Sequence, residues 1–103
     1  YMGLLPDDLT DAERLALGIE NQTGIMLMEV YDDAPAAAAD LSAGDIILEL
    51  NGEPVYSQRQ ALLISASTVP GDTVEVLGIR DDVRFRTTIT AGERPQGLDD
   101  ATD

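Results

Sequence analysis

The sequence predicts one mainly β domain with two to three short helices. Its 103 residues fit a single domain with a core of its own. Apolar and β-branched runs are short and are separated by glycine, proline and Asn-Gly turn signals, which is typical of strands and hairpins. Helical patterns are also present, but each is only a few turns long.

The first third predicts an extended segment, a helix and a strand. Residues 1–4, Tyr-Met-Gly-Leu, precede a short extended run. Thr10 and Glu13 form a capping-box pattern with an acidic first turn, so a helix is expected to begin at Thr10. Gly18 is placed to end that helix in a left-handed conformation. The apolar run from Ile25 to Val30 follows turn residues and is expected to form a central strand.

The middle of the chain predicts a half-helix and a strand between turns. Pro35 opens an alanine-rich stretch that suits one or two helical turns. The Gly-Asp pair at residues 44 and 45 reads as a turn into a strand over residues 46–50. Asn51 and Gly52 then give a hairpin turn.

A second full helix is expected from the capping residue Ser57 to about Ser67. Its apolar face is wider than contact with one core requires. On helical spacing, the residues expected to face the core are Leu62, Ala66 and Val69. The residues expected on an adjacent face, open to a groove, are Arg59, Leu63 and Ser67.

The last third predicts a half-buried hairpin followed by a tail. A Pro-Gly-Asp turn at residues 70–72 leads into an apolar strand, and Asp81 and Asp82 reverse the chain. On the return strand, one face is expected to carry Val83, Phe85, Thr87 and Ile89. From Gly92 onward the sequence loses periodicity and gains charge, which is typical of a linker or frayed tail.

Composition excludes several classes of function. Twenty acidic and six basic residues leave a net charge of −14, so binding of nucleic acid or anionic lipid is not expected. Without cysteine or histidine, the chain can form no disulfide, thiolate metal site or Ser-His-Asp set. The paired aspartates fall at predicted turns without the spacing of a calcium loop, so no metal and no cofactor are expected.

The chain also carries no targeting signal. It has no apolar stretch near the length that crosses a bilayer and no signal-peptide pattern. Position 1 is Tyr rather than an initiator Met, so we expect the chain to be an excised fragment.

The opening segment predicts capture of a polypeptide C-terminus. Gly3 stands between apolar residues just before an extended run, so several backbone N–H groups can converge on an anion beside an apolar pocket. The alternative is a purely structural one, an N-terminal strand with a glycine bulge that forms only a sheet edge.

Short motifs follow one another along the chain in a characteristic order. They are Tyr1-Met2-Gly3-Leu4, Pro35-Ala36, Ala43-Gly44-Asp45-Ile46-Ile47, Asn51-Gly52, Pro70-Gly71 and Arg80-Asp81. This order resembles a bacterial PDZ domain, and most closely those that follow the protease domain in HtrA/Deg serine proteases. The resemblance implies a small, partly open β-barrel or sandwich capped by helices, with the PDZ-like domain over residues 1–95 and a tail or linker over residues 96–103.

The resemblance also implies a set of peptide-binding residues. They are Tyr1, Met2, Gly3, Leu4, Leu5, Arg59, Leu63 and Ala66. In such domains the N–H groups of the opening loop bind the terminal carboxylate, and the residues matching Met2 and Leu4 line the pocket for the last side chain. Leu4 and Leu5 would receive the peptide as an added antiparallel strand. Pro6 has no N–H, so pairing should fade within two or three peptide residues.

Two aspartates depart from the family pattern. Asp40 and Asp82 stand where related domains carry glycine, and both positions are expected to need a positive φ. Aspartate tolerates that conformation at some cost in stability.

The function implied is peptide recognition in an envelope HtrA-like protease. The module would be non-catalytic and monomeric, would bind hydrophobic C-termini of peptides or unfolded polypeptides, and would regulate or feed a protease domain absent from this chain. The location implied is the bacterial cell envelope or periplasm, with any membrane anchor in a segment outside the chain. Two alternatives stay open: a PDZ domain of a site-2 or C-terminal processing protease, and a scaffold or secretion component without a protease.

Overall fold

The computed structural model describes residues 1–19 and 23–93. These residues form antiparallel strands and three short helices. The strands are β1 (Leu4–Asp8), β2 (Ile25–Val30), β3 (Ile46–Leu50), β4 (Glu53–Pro54), β5 (Thr73–Arg80) and β6 (Val83–Thr90). The helices are α1 (Asp11–Leu17), α2 (Pro35–Ala38) and α3 (Gln58–Ser67).

The strands form one open sheet. Their order is β1-β2-β3-β5-β6, and β4 pairs with β3 beside this path. Within the described residues, β1 and β6 are therefore the two edges. Beyond β6 the chain returns to the opening segment, because the N–H of Gly92 donates to the carbonyl of Tyr1 (3.0 Å). The predicted mainly β, partly open architecture is confirmed.

The predicted ends of α1 are confirmed in detail. The Thr10 hydroxyl accepts from the Glu13 N–H (3.1 Å), and the Glu13 carboxylate accepts from the Thr10 N–H (2.9 Å). The backbone bond and then the hydroxyl of Thr10 lower the pKa of Glu13, because both favour its ionised form. Gly18 closes the helix with φ 71°. None of the described helices is long and apolar enough to cross a lipid bilayer.

The expected positive φ angles are present at both aspartates. Asp40 ends the turn after α2 with φ 64°, and Asp82 has φ 64° in the β5–β6 turn. Asp81, just before it, also lies in the left-handed region, with φ 50°. Two successive left-handed residues match the twist of a tight hairpin, which explains how an Asp-Asp pair reverses this chain.

The main core cluster joins strand residues to Ala36 of α2 and Ala61 of α3, and a smaller cluster forms around Leu9, Ile46, Leu48 and Ile79. Helix α3 presents a different face to the main cluster than the spacing predicted. Ala61 is buried within the main core cluster, and Ile64 packs against that cluster. The expectation that Leu62, Ala66 and Val69 face the core is wrong, since all three are exposed. A helix with apolar residues around most of its surface does not fix its own rotation, and the small side chain of Ala61 suits the closest approach.

An ion pair between buried Asp45 and exposed Arg80 joins the turn before β3 to the end of β5. Asp45 is 2% exposed, and its carboxylate accepts from the Nε (2.8 Å) and Nη2 (2.6 Å) atoms of Arg80 and from the Ser42 N–H (2.9 Å). Nη2 also donates to the carbonyl of Asp40 (2.6 Å). The hydrogen bonds and the charge of Asp45 raise the pKa of Arg80 above its ordinary value.

Candidate functional site

The opening segment is fixed through its carbonyl groups. The carbonyl of Tyr1 accepts from Gly92, and the carbonyl of Met2 accepts from the N–H of Ala36 in α2 (2.8 Å). The carbonyl of Gly3 accepts from the N–H of Tyr31 just after β2 (2.9 Å). Three consecutive carbonyls are thus bonded by three different segments of the fold.

The N–H groups of Met2 and Gly3, unlike the carbonyls of this segment, form no hydrogen bond to a backbone or side-chain acceptor within the described residues. Gly3 is buried and has φ 76°, a left-handed conformation that lets successive N–H groups turn toward one side. Buried N–H groups almost always find a partner, so this loop has the capacity to bind an acceptor from outside.

The edge of β1 continues this donor set. The Tyr31 N–H donates to the carbonyl of Gly3, which lies opposite it, and Leu4 faces Val30 in the next pair. Because hydrogen-bonded and non-hydrogen-bonded pairs alternate in an antiparallel ladder, the N–H and carbonyl of Leu4 point away from β2. Leu4 can therefore pair with an added strand on the open side of β1.

A groove runs between this edge and α3. It encloses about 630 Å³. The β1 side is lined by Tyr1, Gly3, Leu4 and Leu5. The helix side and the segment after it supply Leu62, Ser65, Ala66, Thr68 and Pro70, and the lining also includes Tyr31, Gly92 and Glu93.

The charge of the groove is unusual for a site that would take an anion. Within its described lining no arginine is present, and Glu93 is an exposed carboxylate. Any attraction for a carboxylate would therefore come from hydrogen-bond donors of the lining, the backbone N–H groups and the hydroxyl groups, rather than from an arginine. No cluster of three or more potential metal ligands is found in the described part of the chain.

Five of the eight residues predicted for peptide binding line this groove: Tyr1, Gly3, Leu4, Leu5 and Ala66. The Met2 side chain instead lies in the core at 0% exposure, so only its main chain belongs to the loop. Arg59 and Leu63 are exposed on α3 and are not among the lining residues.

Several lining residues were not predicted, and each depends on long-range structure. Leu62 and Ser65 enter the lining because Ala61 and Ile64 face the core. Tyr31 is placed there by its pairing with Gly3, a register that local pattern does not reveal. Gly92 and Glu93 are brought into the lining by the bond from the Gly92 N–H to the Tyr1 carbonyl.

Comparison with known proteins identifies the class of this fold and groove. The chain belongs to the PDZ domain family, whose profile matches residues 1–90. It is similar to the probable periplasmic serine endoprotease DegP-like of Ectopseudomonas mendocina (strain ymp), with 26% identity over 96 residues covering 93% of this chain and 20% of that protein. It is also similar to serine endoprotease DegS of Escherichia coli (strain K12), with 28% identity over 95 residues covering 92% and 27%.

Solved structures place it in the same group. The HtrA-type protease AlgW with tripeptide superposes with a TM-score of 0.80 at 29% identity, covering 92% of this chain and 32% of that chain. The HtrA3 PDZ domain bound to a phage-derived ligand (FGRWV) has a TM-score of 0.70 at 21% identity, covering 87% and 82%, and supports the fold. The resemblance to PDZ domains of HtrA/Deg proteases is confirmed. The chain spans 20% and 27% of the length of the two curated relatives.

Proposed function

We propose that this domain captures the C-termini of polypeptides in the groove between β1 and α3. The terminal carboxylate would accept from the N–H groups of Met2, Gly3 and Leu4, and the last side chain would enter the apolar cavity. The peptide backbone would pair with the edge of β1. The observation that carries the proposal is the loop itself, whose carbonyls are all bonded while the N–H groups of Met2 and Gly3 have no acceptor in the described residues.

Energetics favour a hydrophobic last residue. The cavity walls near the loop are Leu4, Leu62 and Ala66, and burying an aliphatic side chain against them is worth about 1.5–3 kcal/mol. The carboxylate adds charge-assisted hydrogen bonds, which are stronger than neutral ones. Since Glu93 opposes an anion, hydrogen-bond donors must supply this attraction, and the proposal assigns it to the main-chain N–H groups of the loop.

Isothermal titration with one hydrophobic-ended peptide, as free acid and as amide, tests the carboxylate part. Amidation should weaken binding by at least tenfold, about the worth of one hydrogen bond to a charged group. Equal affinity for the two forms would reduce the β1 edge to a non-specific docking site and would remove the assignment of Met2, Gly3 and Leu4.

A matched pair of leucines tests the pocket part. Leu62 and Leu63 are adjacent on α3 and 43% and 61% exposed, but only Leu62 lines the groove. Leu62→Ala should weaken peptide binding several-fold and Leu63→Ala should not. The reverse result would support the sequence-based prediction that Leu63 and Arg59 face the peptide. Leu4→Ala should cost roughly 1–3 kcal/mol of binding, because it removes a wall of the cavity.

We further propose that the domain works beside a protease domain. The curated relatives are described as serine endoproteases, one of them periplasmic, and this chain corresponds to a fraction of their length. The domain itself would be non-catalytic, because it lacks histidine and cysteine, and would act in the bacterial envelope. Protease assays on the full-length protein with and without the peptide, compared with a Leu62→Ala form, would show whether the groove regulates cleavage. An unchanged rate across all four conditions would limit the groove to tethering.

A further inference from the structure

The outer edge of β1 offers free backbone groups for strand pairing at Leu4 but not at Pro6. Leu4 presents both its N–H and its carbonyl to an incoming strand. Two residues on, the next residue whose backbone points away from β2 is Pro6, which is buried and has no N–H to donate. The β1–β2 register shifts between Leu5 and Pro6, where Leu5 pairs with Glu29 and Pro6 with Leu27. This shift is a β-bulge whose extra residue lies on β2.

The carbonyl of Pro6 already has a partner from α3. The Gln58 Nε2 atom donates to it (3.0 Å), and the Gln58 backbone N–H donates to the Asp8 carboxylate (2.6 Å). Gln58 is therefore fixed at both its main chain and its side chain against β1. The side-chain amide of Gln58 therefore occupies the Pro6 carbonyl. In an added peptide strand, the backbone N–H of the third residue from the C-terminus would donate to that same carbonyl.

We propose that Gln58 is a specificity-determining latch that limits strand addition to the last peptide residue. This inference rests on the proposed C-terminal capture and concerns how many peptide residues form backbone hydrogen bonds with β1. A peptide that displaced the latch would exchange one hydrogen bond for another and gain little. Affinity should then depend on the carboxylate and last side chain, and hardly on the backbone further upstream.

Backbone ester analogues test the latch directly. The probe is an acetylated pentapeptide with a hydrophobic last residue, and its analogue carries an ester in place of the N–H of the third residue from the end. The wild-type domain should bind the two forms within about twofold. In Gln58→Ala the Pro6 carbonyl is open, so the amide form should bind about two- to tenfold more tightly than the ester form, the worth of one net hydrogen bond.

Two further variants separate the latch from general effects. Gln58→Met keeps the side-chain length without a donor and should behave as Gln58→Ala does. Gln60→Ala is the matched control, because Gln60 lies on the same helix but bonds the carbonyl of Pro54 (2.9 Å) and the N–H of Tyr56 (2.8 Å), away from β1. Its ratio of amide to ester affinity should equal that of the wild type.

The outcomes distinguish the latch from the groove. A wild-type domain that already prefers the amide form more than about fivefold overturns the latch, since the Pro6 carbonyl would then be bonding the peptide. Unchanged ratios in both Gln58 variants also overturn it. Equal binding of the C-terminal acid and C-terminal amide, measured first with the same pentapeptide, instead refutes the proposed capture site.

Discussion

Replacing Gly3 by alanine tests how the opening loop is held. An added Cβ at Gly3 would overlap the Cβ of Ala34, at the start of α2. The left-handed conformation costs a residue with a Cβ about 1–2 kcal/mol. Forcing an extra carbon into a packed site costs about 1–3 kcal/mol more. Gly3→Ala should therefore lower the free energy of unfolding by roughly 2–5 kcal/mol.

Gly52→Ala is the matched control for backbone strain. Gly52 has φ 77°, almost identical to that of Gly3, but an added Cβ there meets no atom within 4 Å. Its loss should be limited to the strain, about 1–2 kcal/mol. The difference between the two variants measures the overlap with Ala34 alone. Thermal unfolding followed by circular dichroism suffices, because each kcal/mol moves Tm by about 4–8 °C in a domain of this size.

A compensating change sharpens the test. Ala34→Gly removes the atom that Gly3→Ala would strike, so the double variant should recover part of the loss, and the coupling should reach about 1 kcal/mol or more. Peptide affinity should fall in Gly3→Ala and stay unchanged in Gly52→Ala. Equal losses of stability in the two single variants, with no coupling to Ala34, would show that the loop is not held against α2.

Other changes bear on different parts of the chain. Asp40→Gly should raise the free energy of unfolding by up to about 1 kcal/mol in denaturant titration, since glycine relieves the positive φ; a loss would contradict this. Glu93→Gln should strengthen binding of a free-acid peptide modestly at low salt, with Glu53→Gln as a control that should not. The pKa of Glu13 is lowered, so its contribution to stability is complete above its ordinary pKa and is lost as the pH falls through the folded value. The backbone N–H of Thr10, which donates to the Glu13 carboxylate, should therefore exchange faster as the pH falls through that value, after correction for the intrinsic pH dependence of exchange. Truncation after Pro95 should leave Tm unchanged; Pro95 itself lies outside the described residues.

Features governed by neighbouring residues were predictable from the sequence. The capping box at Thr10 and the left-handed end at Gly18 depend on interactions within one helical turn. The positive φ at Asp40 and Asp82 follows from the tightness of the turns. In β6, the alternation of Phe85 and its neighbours on one face follows from the period of a strand.

Features that depend on distant residues were not predictable in the same way. The rotation of α3 is set by Ala61 against the core, because apolar residues on more than one side leave the helix pattern ambiguous. Asp45 was interpreted only as a turn residue, yet its carboxylate binds Arg80, 35 positions later. The latch between Gln58 and Pro6 spans 52 positions. From the sequence, Pro6 alone predicted that backbone pairing along β1 would be short. Only the structure shows that the Gln58 side chain bonds the Pro6 carbonyl.

Under the proposed capture of C-termini, the loop would explain how a strongly acidic domain can bind an anion. The net charge of −14 acts over a Debye length of about 8–10 Å at physiological salt, whereas N–H donors act over a single hydrogen-bond distance. Those donors can be aimed only if the backbone is rigid, and here rigidity comes from the core: Met2 is fully buried, and its carbonyl is bonded by Ala36. A carboxylate entering the groove would meet donors already oriented, at no reorganisation cost. Anionic ligands without a matching apolar end would lack the cavity contacts that offset the long-range repulsion. Under this proposal, the core contacts that hold Met2 would also make the groove selective.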